Sequence, residues 1–426
     1  MISSGKSPSP SVVLPHFIFG ALSFLVVSIL LLFSTETFSG HYFHPKLLAI
    51  THLTALGWGT MIVFGSLYQL LPVLLETKLH SELLAKTTFT IFVFGIILVT
   101  WSFWNFEIGI PLQIGSIFLV SALFLFGINI FATARKSTQR AAETDFISTA
   151  TLWLLSAGIL GLMMAINLTH PFLPKSHLVF LKVHAHLGIV GWFILLIMGI
   201  ASKLIPMFLL SQSLNKKKLV IAYYLVNAGL IGFAFDFFYF EGSAFLPFYA
   251  LLILGGVLSF LTFIREAYIK RMRKILDIGL KHTAVAFIVL FLPIGIGILL
   301  SFLRPVENPF VLKIILIYGV SIFLGFISTL ILGQTFKTLP FIVWLDKFSK
   351  ENKSSNKILP KDLYSEKIAI AQFAFYLLGL TLLIIGIFLN EVFVINSGAL
   401  FIFITSLLYT VNVFKMIFIT PKFNNN

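Results

Sequence analysis

Residues 52–72 read HLTALGWGTMIVFGSLYQLLP, and residues 186–206 read HLGIVGWFILLIMGIASKLIP. His52, Leu53, Gly57, Trp58, Gly65, Leu70 and Pro72 recur as His186, Leu187, Gly191, Trp192, Gly199, Leu204 and Pro206, always 134 positions later. The same step again reaches residues 320–340, VSIFLGFISTLILGQTFKTLP. There Gly325, Gly333 and Pro340 stay in register, Phe326 stands at the tryptophan position, and Val320 replaces the histidine. Three ungapped copies at one spacing mark an internal repeat, and repeats decide architecture.

The rest of the chain sets the solvent around that repeat. Its 426 residues are 58% hydrophobic and 11% charged, with a mean hydropathy of +1.01 and no cysteine. Soluble domains carry roughly 25% charged residues. This composition excludes a soluble enzyme, a nucleic-acid-binding domain and a disordered chain. Without cysteine there is no disulfide, thiolate metal site, Cys-x-x-Cys-His haem attachment or Cys-ligated dinuclear copper centre. A helix needs about 20 apolar residues to cross a bilayer. Twelve such stretches run at about 17–34, 47–75, 87–105, 111–133, 148–169, 178–210, 219–240, 245–265, 281–303, 311–345, 367–389 and 393–419. The fold class expected is an all-α polytopic membrane protein, a single membrane domain over 1–426.

Charge orients it. With the N-terminus inside, every Lys and Arg lies at the cytoplasmic side except Lys46, Lys175, Lys182, Arg304 and Lys313. That asymmetry follows the positive-inside rule and explains the net charge of +14 without nucleic acid. The expected location is the cell's inner membrane, multi-pass, with both termini cytoplasmic. The first span lacks a small-residue cleavage site and reads as retained. Residues 346–366 read as a Lys-, Ser- and Asn-rich cytoplasmic loop, and the basic loop 265–281 as a topology determinant. The repeats fall at approximately 1–140, 141–276 and 277–426. Four spans per repeat is an even number, so the copies share one orientation. The expectation is three parallel four-helix units around a pseudo-threefold axis along the membrane normal, with spans two, six and ten facing inward or towards neighbouring units.

Of the ten histidines, His41, His44, His52, His170, His177, His184 and His186 fall in the outer half, and His16, His80 and His282 at inner ends of spans. Polar residues within a bilayer are costly and mark function, and neutral imidazole is the commonest metal ligand. His52 and His186 share one depth by the repeat, so they are the leading ligand candidates. His184 lies two residues away, turned about 200° around the helix from His186. The remaining histidines read as packing residues. Trp58 and Trp192 stand on the ligand-candidate helices, to pack beside a macrocycle or within the bundle. Gln69, Lys203 and Lys337 share a repeat position about 25 Å inward of the histidines, either as a polar ring or as snorkelling side chains. No carboxylate falls mid-membrane, which counts against a proton pump.

Twelve spans, three parallel repeats, internal termini and a span-two histidine in the outer half resemble the haem–copper oxidase subunit I superfamily. AITHLTALGW (49–58) with YQLLP (68–72), and HAHLGIVGW (184–192) with LIPM (204–207), are similar to its short members of the cbb3-oxidase or nitric-oxide-reductase type. The resemblance spans nearly the whole chain. It implies that His52 is the span-two axial ligand of a low-spin haem, and that His184 or His186 falls where the family keeps a copper-ligand histidine. The family's adjacent histidines on span seven are missing from 219–240, and its His-x-His of span ten is replaced by Gly319-Val320-Ser321.

The expected function is therefore a haem-binding membrane redox protein, with one haem between spans two and six held by His52 and either His184 or His186. Copper is a further cofactor expectation. Electron transfer or oxygen or nitric oxide chemistry would draw on a quinol or a cytochrome as donor, with a partner subunit. Whether it is an enzyme is left open. The alternatives are a nitric-oxide-responsive haem or copper protein without turnover, and a cofactor-free transporter on the same scaffold.

Overall fold

The computed structural model describes residues 7–137, 142–303, 308–349 and 358–420. Lys6, Arg140, Arg304, Lys350, Lys353, Lys357 and Lys422, which entered the charge asymmetry, lie outside the described residues, as does 350–357 of the expected loop.

Among the described residues the chain is helical and without strands. Twelve helices are long and apolar enough to cross a membrane: α1 (Pro10–Leu32), α2 (Pro45–Leu74), α3 (Glu82–Trp104), α4 (Ile110–Arg135), α5 (Ala142–Asn167), α6 (His177–Leu209), α7 (Lys217–Phe240), α8 (Leu246–Ile269), α9 (Ile278–Phe302), α10 (Pro309–Lys347), α11 (Glu366–Leu389) and α12 (Val392–Phe418). Each expected stretch falls on one of them. The ends shift where polar residues start a helix. Ser81 caps α3 by accepting the Leu84 N–H at 3.1 Å, ahead of the apolar run. Glu143 and Asp145 sit in the first turn of α5, where carboxylates suit the helix dipole. α9 is interrupted at Leu290, because Pro293 has no N–H to give the Val289 carbonyl.

The most buried apolar stretches are those of α6 (78%) and α2 (67%), followed by α10 and α1 at 56% each, against 22% for α8. The three repeat-bearing helices thus belong to the interior, as does α1. Around them α3 pairs with α4, α7 with α8 and α11 with α12, while α4 packs on α5, α8 on α9 and α12 on α1. The last contact brings the two ends of the bundle together. Ser28 and Ser406 share a hydrogen bond at 2.7 Å, and Thr410 donates to the Ala21 carbonyl at 3.4 Å.

Three local features recur at the repeat spacing. Each interior helix widens into a π-helical segment at the same place: Leu53–Thr60, Leu187–Ile194 and Ser321–Ser328. Such segments are rare and turn the following side chains to a new face. Each interior helix is also approached closely at its second repeat glycine. A methyl there would meet His16 Cβ at 2.6 Å from Gly65 and Phe146 Cβ at 2.5 Å from Gly199, and His282 Cβ closer still from Gly333. Small residues allow this approach where no hydrophobic force drives helices together. Finally, the Trp58 indole N–H donates to Ser328 on α10 at 2.9 Å, and that of Trp192 to Thr60 on α2 at 3.1 Å. The corresponding residues on the remaining pair are Phe326 and Ile194, which carry neither donor nor acceptor.

Candidate functional site

His52 closes the α-helical first turns of α2, just before the π segment, and His186 does the same in α6. The structure separates these two equal-depth histidines. His52 lies beside His184, with ring centroids 6.2 Å apart and planes at 25°. His186 instead lies beside Tyr318 of α10, with centroids 6.0 Å apart and planes at 20°, and Tyr318 OH is 3.3 Å from His186 Nε2. These two pairs are one geometry used twice. Tyr318 occupies the repeat position of His184, and His186 that of His52. At the third junction the same positions hold Val320 and Ile50.

Equal depth on two helices does not by itself produce contact, because contact also depends on how each helix is rotated. Equivalent residues on a rotational ring all point the same way round it, so each meets a different position on its neighbour, head to tail. Sequence reasoning missed Tyr318, although one repeat step from His184 reaches it.

The hydrogen bonds fix the tautomers. A carbonyl oxygen only accepts, so Nδ1 donates in each case. His52 Nδ1 donates to the Leu48 carbonyl at 2.8 Å, His184 Nδ1 to Ala157 at 2.9 Å and His186 Nδ1 to Lys182 at 2.8 Å. Neutral imidazoles of this kind carry a lone pair on Nε2, and a backbone carbonyl on Nδ1 is the usual orienting partner of a metal-binding histidine. Tyr318 occupies the Nε2 side of His186; no hydrogen bond occupies that of His52 or His184. Phe103 stacks on His52 at 4.9 Å and Gly161 backs the His184 ring, where a methyl would come within 2.9 Å of Cε1. Both rings are thereby held.

Two imidazole nitrogens bound at about 2 Å on opposite sides of one ion place the ring centres roughly 6 Å apart, close to the observed 6.2 Å. Space is present beside the pair: Gly188 lies one turn inward of His184, and a methyl there meets nothing within 4 Å. His52, His184 and His186 are each only partly buried. The spacing and the two open Nε2 atoms therefore fit a group held by two imidazoles. Among the described residues, no cluster of three or more His, Asp or Glu side chains stands ready for one ion.

The other candidates have local roles. Trp58 and Trp192 are fully enclosed, Trp58 stacking on Phe24 at 4.7 Å, and both indole N–H groups are spent on neighbouring helices. His41 accepts from the Phe43 N–H at 3.0 Å, His44 caps α2 through the Lys46 N–H at 3.3 Å, and His170 pairs with Thr169 at 2.9 Å. Gln69, Lys203 and Lys337 do not converge. Gln69 donates to Ser7 at 3.2 Å, Lys203 is exposed, and Lys337 forms an ion pair with Asp277. Asp236 accepts from the backbone N–H of Ser243 at 2.7 Å and from its hydroxyl, closing the turn between α7 and α8. Compared with known proteins, the chain matches no family model and no curated protein.

Proposed function

We propose that this chain is a haem-binding electron-transfer protein of the cell's inner membrane, with both termini cytoplasmic. Its scaffold is three parallel four-helix units around a pseudo-threefold axis. The recurrence of the π segments, the glycine contacts and the tryptophan bonds at the repeat spacing supports this arrangement, as does the packing of α12 on α1.

The observation that carries the functional reading is the His52–His184 pair: two facing helices, rings 6.2 Å apart, and both Nε2 lone pairs free. His52 and His184 would hold the haem iron through Nε2. Leu48 and Ala157, through their carbonyls, hold the rings in the ligating tautomer and raise their basicity. Phe103 shields one face of His52 from lipid and water. The haem, when bound, supplies one-electron chemistry. With a histidine from each of two helices to hold the iron, this reading favours electron transfer over oxygen or nitric oxide turnover. A quinol or a cytochrome would be the donor, and a partner subunit would accompany the chain.

The test is a dithionite-reduced minus oxidised spectrum of protein purified from haem-replete cells. A bis-histidine low-spin spectrum is expected, with about one haem per chain by pyridine haemochrome. A colourless protein would overturn the reading and leave a cofactor-free transporter on the same scaffold.

A further inference from the structure

Between α2, α6 and α10, inward of the tryptophan level, lies a cavity of about 100 Å³. Its walls repeat with the sequence: Val63, Ile197 and Ile331 form one tier, Ser66, Ile200 and Gln334 the next, and Leu70, Leu204 and Thr338 the innermost. No Asp, Glu, Lys, Arg or His lines it. The middle tier is unusual. At one repeat position, α2 offers a hydroxyl, α6 a hydrocarbon and α10 a carboxamide.

The polar groups there are only half satisfied. Gln334 Nε2 donates to Thr283 Oγ1 at 2.6 Å, and Gln334 Oε1 is buried without a partner. Thr283, Thr335 and Thr338 each donate to a backbone carbonyl of their own helix, at 2.9 Å in each case. Ser66 spends its hydroxyl on no protein group. A buried acceptor left open is costly, so the cavity suits a ligand that brings a donor. Water is a poor candidate for the whole volume. Apolar-walled cavities stay dry, and one of about 150 Å³ takes up a benzene ring.

We propose that this cavity binds an uncharged molecule with an apolar body and one O–H donor, on the scale of a phenol ring. The hydroxyl donates to Gln334 Oε1, Ser66 is the second polar contact, and the tiers at 63/197/331 and 70/204/338 line the ring; the cavity is only partly closed, so an alkyl tail can leave it. The proposal stands apart from the haem reading and needs no cofactor.

The test is photolabelling in nanodiscs with a diazirine-bearing alkylphenol, mapped by mass spectrometry. Labels are expected on α2, α6 and α10 around Val63, Ile197 and Ile331. Excess 4-hexylphenol should remove them, while 4-hexylanisole, which lacks the donor, should compete at least tenfold less well. Competition by dodecanol equal to that by hexylphenol would make the natural ligand class an aliphatic alcohol, within the same chemistry; failure of dodecanol would make it aromatic. Gln334→Leu should cut labelling about tenfold, and Ile197→Trp should abolish it by filling the space. Equal competition by phenol and anisole in the wild-type protein, or labels confined to lipid-facing side chains, would overturn the proposal without reliance on any variant.

Discussion

The α2/α6 and α6/α10 junctions use the same repeat positions for opposite ends. At the first, His52 meets His184 and two Nε2 lone pairs are free. At the second, His186 meets Tyr318 and the phenol approaches the Nε2 lone pair at 3.3 Å. One difference at a repeat position, His184 against Tyr318, therefore separates a pair of open imidazoles from a closed hydrogen bond. At the third junction the same positions hold Val320 and Ile50, which carry no polar side chain. Chemistry here is set by the side chains at a site and not by the fold alone.

The comparison can be broken in several ways. The largest effect belongs to His52→Ala, which should take haem content from about one per chain to near zero while the protein stays monodisperse. Size-exclusion chromatography with absorbance at the haem band checks this. Next comes the close packing of α9 on α10. Gly333→Ala forces a methyl onto His282 Cβ and should cost about 1–3 kcal/mol, read as a lower thermal midpoint. Gly188→Ala faces open space and should leave that midpoint unchanged. It should still weaken haem retention if the space beside His184 serves the ligand.

A smaller effect is expected at the tryptophan level. Trp58→Phe removes the bond to Ser328 and should cost about 1–2 kcal/mol. Adding Ser328→Ile should recover part of that loss, because the pair then imitates Phe326 and Ile194. A double-mutant cycle measures the recovery. The smallest effect is Tyr318→Phe, which deletes one interhelical hydrogen bond worth about 0.6 kcal/mol and should leave the haem spectrum untouched.

Much of this was legible in the residues themselves. Apolar length placed all twelve helices, and the repeat picked out α2 and α6, the two most buried, while α10 is no more buried than α1. Hydropathy missed their polar first turns: Glu82 opens α3 and Glu143 lies near the start of α5, outside any apolar window but inside the helix. The π segments were also hidden, because a single extra residue per turn leaves no compositional trace. His52 was recognisable as a ligand candidate through its repeat. Choosing its partner was not possible from depth alone. Depth follows from counting residues, whereas contact depends on how α6 is rotated against α2, and that rotation brings His184 rather than His186 to His52. The orphaned Gln334 carbonyl was equally hidden, since its meaning depends on which group Thr283 presents across α9 and α10.

The account rests on that choice of partner, and pyridine-haemochrome quantitation of His184→Ala against His186→Ala tests it most directly. Loss of haem in His184→Ala with wild-type haem in His186→Ala is the predicted result. Full retention in His184→Ala, or loss only in His186→Ala, would contradict the assignment of His52 and His184 as the ligand pair.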